Sequence, residues 1–376
     1  MKITVNRESL LKALDVVGNA LGNKVIIDSF RYIMFDVKDG KCYIYARNEH
    51  MQIRAFINVV AQGEFRFCVP GGKITETVRL ISDEDVTLTT KVEENGSFTT
   101  MLTIKGKKNR YKNAGIDPEE YGTMVIGKDA KGFSVHMSSL VKEFANSQLP
   151  VQPNNLVQML TGVNISSSDK GFSIVGANNS FMYQGLLQGN KVDINMTVPK
   201  SIASAVAMMP ISPEAKIGTD GKHVIIKSGS VQVTAILING KYPNTSQFFD
   251  GYSNDNYIAV NRQEMIKSMK VLRLYSTTEN RAMVMSVNKN ELTLSGKNDA
   301  MTSSAEEVLE IDNHGVEDGF QIAFNPTVIL PAVTNIESET VKIHLVSPEK
   351  FVFITEAKEE ISGYWLVCPI VIPKEA

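Results

Sequence analysis

The sequence predicts an α+β fold made of three tandem copies of one unit. Two sequence signatures each occur three times at nearly constant spacing, and each copy alternates helical patterns with hairpin patterns. Helical segments together with β-hairpins are typical of α+β folds, in which the helices pack on one side of antiparallel sheets. We therefore expect two helices packed on antiparallel sheets in every copy.

The first signature is a Val followed by polar residues, two apolar residues, a Lys and another apolar residue. It reads VNRESLLKAL, VHMSSLVKEF and VNRQEMIKSM, and the three copies start at Val5, Val135 and Val260, which are 130 and 125 residues apart. In the first copy, Leu10 and Leu14 belong to an apolar stripe at helical spacing. A fixed period of this length indicates an internal repeat that begins with an amphipathic helix.

The second signature is a proline followed by a helical pattern. It occurs around Pro70, Pro199 and Pro326, which are 129 and 127 residues apart. Proline suits the first turn of a helix, because its missing N–H needs no partner there. The second helix of each copy is therefore expected to begin at a proline.

Between the helices, short β-rich segments flank turn residues. RYIMFDVKDGKCYIYA, GVNISSSDKGFSIVGA and AMVMSVNKNELTLSG each contain two such segments around Gly, Asn or Asp. This pattern predicts one hairpin in each copy.

The repeat period and the length together predict three domains. A chain of 376 residues is too long for one ordinary core. We place the domains at 1–127, 128–251 and 252–376, with boundaries in MVIGKDAKG and FFDGYSND.

Composition excludes several classes of protein. The net charge of -2 argues against a chain that coats nucleic acid with its whole surface, although a locally basic face remains possible. No apolar run reaches the length of a membrane span, and the start lacks a signal-peptide pattern. A cytoplasmic location without a membrane partner is therefore expected.

Motifs for catalysis and metal binding are absent from the sequence. It contains no phosphate loop, no H-E-x-x-H and no G-x-S-x-G. The three cysteines lack the spacing of a metal or redox site, and the five histidines are scattered. We expect no catalytic residues, no cofactor and no metal.

Three segments carry a resemblance to a known family. They are the start MKITVNRESLLKAL, the turn NGKYPN that ends the second copy, and the closing YWLVCPIVI with its central proline. With the threefold repeat, they make the chain resemble the bacterial sliding clamps, the beta subunits of DNA polymerase III, from Met1 to Ile372.

The resemblance implies a head-to-tail homodimer that closes as a ring around double-stranded DNA. Such a ring holds the replicative polymerase on its template without base-specific contacts, and a separate clamp loader opens it. The resemblance also implies that other proteins with clamp-binding motifs are partners.

Duplex DNA in such a ring needs diffuse positive charge, because the protein must slide along the phosphates. Lys12, Lys142 and Lys267 occupy the same position of the three first helices. The alternative interpretation is that these lysines only form the solvent-exposed face of their helices. The DNA-contacting residues suggested by helix position and by the resemblance are Lys12, Lys24, Lys73, Arg79, Lys142, Asn154, Lys200, Lys267, Lys270 and Arg273.

In this family the closing strand forms one wall of an exposed apolar pocket that captures extended peptides. A proline suits such an edge strand, since it cannot donate to a ladder. The alternative is a simply buried final strand. The residues that match the family's pocket are Leu160, Ala177, Asn179, Phe181, Met182, Pro243, Gln247, Phe248, Leu366, Cys368, Pro369 and Ile370.

The sequence departs from the family in that pocket. Where many members have an acidic and a basic residue in a turn, this chain has the neutral run from Ala177 to Phe181, and an arginine expected near Gln247 is missing. The usual clamp-binding peptide is therefore expected to bind weakly, or a divergent motif to be preferred.

The resemblance also implies a dimer seam between an edge strand of the first domain and one of the third. Tyr111, Leu274 and Tyr275 match its positions. A partner's edge would cover the unpaired backbone groups of such strands. Isolated surface aromatics are the alternative.

Two other functions stay open. One is a divergent clamp paralogue, from a phage or a mobile element, with changed partner specificity. The other, from a different class, is a ligand-binding or hydrolytic β-rich repeat protein, for which a polar cleft with perturbed titrating groups would be needed.

Overall fold

The computed structural model describes most of the chain. The described residues are 1–22, 27–93, 96–104, 109–124, 131–190, 192–210, 212–249, 252, 255–275, 282–298, 303–358 and 361–370. None of the helices in these ranges is long and apolar enough to cross a membrane.

Seven α-helices occur in the described part of the chain. They are α1 Arg7–Gly18, α2 Gly71–Leu80, α3 Pro118–Tyr121, α4 Met137–Ser147, α5 Ser201–Ala207, α6 Arg262–Leu274 and α7 Pro326–Thr334. Short 3-10 turns lie at Asp28–Arg31, Gln158–Thr161 and Ser246–Phe249.

The strands are short, and every strand pair described below is antiparallel. In chain order they are β1 Lys2–Asn6, β2 Tyr32–Lys38, β3 Lys41–Arg47, β4 Met51–Asn58, β5 Val60–Gln62, β6 Phe65–Pro70, β7 Asp85–Val92, β8 Phe98–Ile104, β9 Arg110–Ala114, β10 Lys131–His136, β11 Gly162–Ser168, β12 Gly171–Ala177, β13 Phe181–Leu187, β14 Asn195–Pro199, β15 Glu214–Thr219, β16 His223–Ser228, β17 Val231–Ile236, β18 Tyr257–Asn261, β19 Met283–Asn288, β20 Glu291–Asn298, β21 Ser303–His314, β22 Phe320–Phe324, β23 Thr340–His344, β24 Val352–Glu356 and β25 Gly363–Val367.

The order of elements repeats three times, which confirms the predicted triplication. Each copy begins with a strand that leads directly into its first helix, as β1 does into α1, β10 into α4 and β18 into α6. After three or four further strands, each copy has another strand that precedes its second helix: β6 before α2, β14 before α5 and β22 before α7. The α+β class predicted from the sequence is confirmed.

Asparagine caps two of the first helices. The Asn6 side chain accepts a hydrogen bond from the Ser9 N–H at 3.1 Å, and Asn261 accepts from the N–H groups of Gln263 and Glu264 at 2.9 and 3.2 Å. These bonds satisfy N–H groups that have no partner inside the helix. The repeated VNR signature is therefore partly a capping signal.

The prolines of the second signature occupy two kinds of position. Pro326 is the first residue of α7, as predicted, whereas Pro70 and Pro199 are the last residues of β6 and β14. A fixed φ near -65° fits both a strand end and a first helical turn. The signature therefore marks the place where a strand is followed by a helix. It coincides with the first helical residue only at Pro326.

The three predicted hairpins are present. They are β2 with β3, β11 with β12, and β19 with β20. In the first hairpin, Asp39 and Gly40 have φ values of 52° and 68°, which a two-residue turn of this kind requires.

The chain divides into two compact units. The first contains Met1–Lys142 and Gln188–Ile238, and the second contains Glu143–Leu187 and Asn239–Ala376. The division cuts the predicted middle domain, 128–251, because β17 is paired with β4 and β13 is paired with β25. The predicted boundaries at 127 and 251 fall on residues outside the described ranges and stay predictions.

In the first unit, strands form a sheet in the order β5-β1-β7-β8-β9 and a second in the order β10-β15-β16-β17-β4-β3-β2-β6. Helix α1 packs against α2 and on β3 and β4. Phe35 and Phe67, from neighbouring strands, stack with ring centroids 4.7 Å apart in this core.

In the second unit, one continuous sheet runs in the order β11-β12-β13-β25-β24-β23-β18-β21-β20-β19-β22. Helix α6 packs against α7 and on β20 and β21. The apolar core includes Met265, Met269 and Leu272 from α6, and Trp365 from β25.

Candidate functional site

An apolar pocket lies in the second unit, where β12, β13 and β25 are neighbours. It has a volume of about 200 Å³. Its lining residues are Leu160, Ala177, Asn178, Asn179, Phe181, Met182, Pro243, Thr245, Phe248, Phe351 and Leu366. Apolar concave surfaces with a few polar groups are typical of binding sites.

Strand register brings distant parts of the chain to this pocket. Ala177 of β12 lies opposite Met182 of β13, and Met182 lies opposite Leu366 of β25. Beneath them, the Trp365 ring stacks on Phe181 with centroids 5.4 Å apart and contacts Tyr183 at 4.3 Å. Because Trp365 is 2% exposed, this floor is closely packed.

The segment after NGKYPN forms a second wall. Phe248 meets Phe351 edge to face with centroids 5.1 Å apart. The next residue, Phe249, packs against Phe353 and Tyr364 at 5.7 and 5.6 Å. Aromatic pairs of this geometry add to the stabilisation from buried area, so the segment is held on the sheet by its rings.

The rim of the pocket is a neutral turn held by Asn178. Its Oδ1 accepts hydrogen bonds from the N–H groups of Ser180 and Phe181 at 2.9 and 3.0 Å, and its Nδ2 donates to the Pro150 carbonyl at 2.7 Å. Asn178 therefore shapes the turn, in which Asn179 and Ser180 are exposed.

Eight of the predicted pocket residues line this pocket, and four do not. Gln247 lies exposed in a 3-10 turn, while Cys368, Pro369 and Ile370 are partly buried beyond the end of β25. The Ile370 N–H donates to the Ala323 carbonyl at 2.7 Å, which fixes this end of the chain against β22. The Cys368 thiol contacts the Asn179 carbonyl at 3.6 Å, next to the rim.

The sequence missed Asn178, Thr245 and Phe351 as lining residues. Asn178 lies between the chosen residues Ala177 and Asn179, and Thr245 lies two positions from both Pro243 and Gln247, so a wider window would have included both. Phe351 comes from the segment before β24, and only its ring contact with Phe248 reveals it.

The predicted cationic residues lie mostly on exposed helix faces. Lys73 on α2 and Lys267 and Lys270 on α6 are exposed. Arg273 is exposed near the end of α6, Lys142 is partly buried on α4, and Lys200 is the partly buried cap of α5. Asn154 is exposed in a turn, and Lys24 lies outside the described residues.

Lys12 and Arg79 are among the cations that have acidic partners in the described part of the chain. Lys12 pairs with Glu8 one turn earlier at 2.7 Å. Arg79 pairs with Asp15 of α1 at 2.5 Å and also with Glu76. Exposed pairs contribute little to stability and exchange readily with other anions, so they do not prevent contact with phosphates.

The three predicted seam residues lie on different kinds of element. Tyr111 is on β9, which is the edge of its sheet, and it is 38% exposed. Leu274 is the last residue of α6 and Tyr275 caps it, so neither is on a strand. Both are exposed, Leu274 at 80%.

Clusters that could hold a metal are not found in the described part of the chain, where no three His, Cys, Asp or Glu residues are suitably grouped.

Family models match both ends of the chain. Residues 1–125 match the N-terminal domain of the DNA polymerase III beta subunit, and residues 252–367 match its C-terminal domain. The two matches together cover more than half of the sequence. The chain belongs to the DNA polymerase III beta subunit family.

Curated relatives of this beta subunit family align over nearly the whole chain. A beta sliding clamp from Staphylococcus aureus is 23% identical over 389 residues, covering 98% of this chain and 99% of the relative. A beta sliding clamp from Mycoplasma genitalium is 21% identical, covering 96% of this chain and 97% of the relative.

Solved beta subunits share the fold. The beta subunit of the DNA polymerase of Streptococcus pyogenes has a TM-score of 0.90 at 20% identity, covering 99% of this chain and 100% of that structure. A sliding clamp from Pseudomonas aeruginosa bound to griselimycin has a TM-score of 0.90 at 17% identity, with the same coverage. Likeness at this identity establishes the fold alone, which agrees with the three-copy clamp architecture expected from the sequence.

Proposed function

We propose that this chain is a DNA polymerase processivity factor, a ring-shaped sliding clamp that encircles duplex DNA. The observation that carries the proposal is the similarity to beta sliding clamps over 96% or more of the chain. The threefold repeat supports it, because a ring can be closed by units that pair in the same way at every junction.

The proposed dimer repeats a strand pairing that occurs twice within the chain. The third strand after the first helix of a copy pairs with the last strand of the next copy, as β4 pairs with β17 and β13 pairs with β25. In the third copy that strand is β21, and the last strand of the first copy is β9. A head-to-tail homodimer in which β21 pairs with β9 of a second chain extends the rule.

Both strands of the proposed seam have a side available for pairing. Strand β9 is bonded only to β8 among the described strands. Strand β21 is paired with β20 over Ser303–Glu310 and with β18 only over its last residues. Charge supports the pairing, since β9 contains Arg110 and Lys112 whereas β21 contains Glu306, Glu307 and Glu310.

Contact with DNA is assigned to the exposed helix cations. Lys73, Lys267 and Lys270 have the exposure that contact with phosphates requires. Because base edges are not needed for this contact, binding is expected to be independent of sequence and to weaken with salt.

The apolar pocket is assigned to short extended peptides of partner proteins, which include the replicative polymerase and the clamp loader. Its aromatic walls, Phe181, Phe248 and Phe351, suit one or two apolar side chains as anchors. The chain itself supplies no catalytic centre and no cofactor in this role, and it acts in the cytoplasm.

Retention on DNA tests the proposal. The protein is loaded with its cognate clamp loader and ATP onto a nicked circular plasmid, and bound protein is separated by gel filtration. Retention on the circle and loss after the circle is linearised are expected, because a ring slides off free ends. Equal retention on circular and linear DNA, or none on either, would overturn it.

A divergent clamp with changed partner specificity is the second candidate. The observation that favours it is that no charged residue occurs among the described residues lining the pocket. Pull-down with the cognate replicative polymerase separates the two: capture supports the replicative clamp, and failure to capture supports the paralogue.

A further inference from the structure

The chain has two junctions at which consecutive copies share a sheet. We call the β4–β17 pair the first seam and the β13–β25 pair the second seam. The apolar pocket lies at the second seam. A second cleft, with a volume of about 270 Å³, lies at the first seam, and its lining is polar: Met34, Asp36, Tyr45, Gln52, Arg54, Arg66, Thr123, Met124 and Gln232.

Register shows that the two sites occupy related places in the repeat. At the second seam, Ala177 lies opposite Met182, and Met182 lies opposite Leu366. At the first seam, Arg47 lies opposite Gln52, and Gln52 lies opposite Thr234. Gln52 is therefore the counterpart of Met182. The first seam has a polar cleft at this position, and the second seam has an apolar pocket.

Two buried glutamines fix the floor of the polar cleft. Gln52 is 5% exposed, and its Oε1 accepts a hydrogen bond from the Met124 N–H at 2.9 Å. Gln232 is 6% exposed, and its Nε2 donates to the Thr234 hydroxyl at 3.1 Å. Because hydrogen bonds already hold both glutamine side chains in place, a ligand would not have to order them on binding. This lowers the entropic cost of binding.

The charges around the cleft do not cancel. Asp36 pairs with Lys38 at 3.2 Å, and Arg66 pairs with Glu119. Arg54 has no carboxylate partner among the described residues: its Nη2 donates to Gln232 Oε1 at 3.1 Å, and its guanidinium lies 5.6 Å from the Tyr43 ring centroid. Among the described lining residues and their ion-pair partners, three cations and two anions leave one positive charge, on Arg54.

Arg54 retains donors for a ligand. A guanidinium carries five N–H donors in a planar fork that matches a carboxylate. Gln232 occupies one side of that fork, and the ring of Tyr43 lies against the guanidinium. The remaining donors, together with the Tyr45 hydroxyl, are the groups available to an acceptor in the cleft.

We propose that the polar cleft binds a carboxylate side chain from an acidic segment of a partner protein, as a second docking site distinct from the apolar pocket. A single carboxylate neutralises the one uncompensated charge. A phosphate carries more negative charge than the one uncompensated positive charge, and Asp36 in the same lining would repel it more strongly than a carboxylate. The site goes beyond the clamp role, since its chemistry depends on the first seam alone.

Methionine NMR on the full chain tests this site. The protein is labelled with 13C-methyl methionine, and the Met34 and Met124 signals, which report on the cleft, are assigned with Met34→Leu and Met124→Leu. The probe is acetyl-Gly-Glu-Gly amide, compared with acetyl-Gly-Gln-Gly amide and with inorganic phosphate. Saturable shifts of both signals with the Glu peptide, and much smaller shifts with the Gln peptide, are expected.

Arg54→Gln is the decisive variant. It should weaken binding of the Glu peptide by about tenfold or more, because a hydrogen bond to a charged group is lost. Arg31→Gln is the matched control, since Arg31 is exposed, lies outside the lining and pairs only weakly with Asp28 at 3.8 Å. Equal shifts with the Glu and Gln peptides, stronger shifts with phosphate, or unchanged binding by Arg54→Gln would each overturn the proposal.

Discussion

At the scale of single residues, the apolar pocket is defined by rings that touch across long sequence distances. Phe248 contacts Phe351, and Phe181 stacks on Trp365. Such contacts bury area without using any charge, so under the proposed function the pocket would recognise a peptide by shape and by apolar anchors.

Phe248→Ala should weaken peptide binding with little effect on folding. Phe248 is only partly buried, and its truncation removes one wall of the pocket together with the Phe351 contact. We expect the dissociation constant of a fluorescent peptide from the polymerase's clamp-binding segment to rise about tenfold or more, as measured by fluorescence polarisation.

Phe56→Ala is the matched control for Phe248→Ala. Phe56 is also a partly buried ring in an aromatic pair, with Tyr43 at 5.9 Å, but it lies in the first unit. Unchanged affinity is expected for Phe56→Ala. An equal loss in both variants would show that general destabilisation, and not the pocket wall, is responsible.

The three cysteines should differ in reactivity. Burial raises the pKa of the Cys68 thiol to about 12 and that of Cys42 further, and it also raises the pKa of Cys368, which remains partly exposed near the pocket rim. A raised pKa lowers the thiolate fraction at pH 8, and the thiolate is the reactive species.

Iodoacetamide at pH 8, followed by peptide mass spectrometry, should therefore modify Cys368 first. Cys42 and Cys68 should react only after unfolding in urea, where all three become equivalent. Comparable labelling of Cys42 and Cys368 in the native protein would contradict this order.

The family resemblance predicted eight of the residues that line the pocket but missed three others. Leu160, Phe181 and Leu366 were found because the family resemblance marks their positions. Phe351 was not, because the ring contact that brings it to the pocket depends on how β24 is placed beside β25. The position of Lys24 relative to DNA stays a prediction.

At the scale of elements, local patterns predicted the three hairpins correctly, whereas the prediction that the second helices begin at prolines holds only for Pro326. Turn residues and capping asparagines act over a few positions, so the sequence alone is sufficient to recognise them. The pairings of β4 with β17 and of β13 with β25 join strands more than 170 residues apart. No local signal encodes such partners, which is why the two shared sheets were not predicted from the sequence.

Close approach of a helix to a sheet explains one glycine of the second unit. A Cβ at Gly176 of β12 would overlap the Ser147 carbonyl, where α4 ends. Because this neighbour is backbone, it cannot rotate away. Gly176→Ala should destabilise the protein by about 1–3 kcal/mol in urea unfolding.

Gly72→Ala is the control for this prediction. Gly72 lies in α2, and nothing is within 4 Å of a Cβ built there. Alanine is the better helix former by about 1 kcal/mol, so this variant should be neutral or more stable. Equal stability of the two variants would argue against the close approach at Gly176.

At the scale of the whole molecule, the repeat supplies one geometry and the side chains give each seam its own chemistry. Met182 faces an apolar pocket at the second seam, whereas its counterpart Gln52 lines a polar cleft at the first. A chain of three similar copies can thereby present different partners with different surfaces without changing its backbone.

The proposed third seam, between β21 and β9 of a second chain, differs again because it is charged. Arg110→Glu on β9 should raise the dissociation constant of the dimer about tenfold, since like charges would then face each other across the seam. Sedimentation equilibrium at several concentrations measures this change against the 41.5 kDa mass of one chain.

Combining Arg110→Glu with Glu306→Arg and Glu310→Arg should restore the dimer, because opposite charges would again be paired. Arg31→Glu should leave the mass distribution unchanged, because Arg31 belongs to the 3-10 turn Asp28–Arg31 and to neither strand. Weakening without rescue would mean that Arg110 supports β9 itself and not its partner. Rescue requires that the two strands meet, and in the proposed dimer strand pairs of this kind would close six similar copies into a ring.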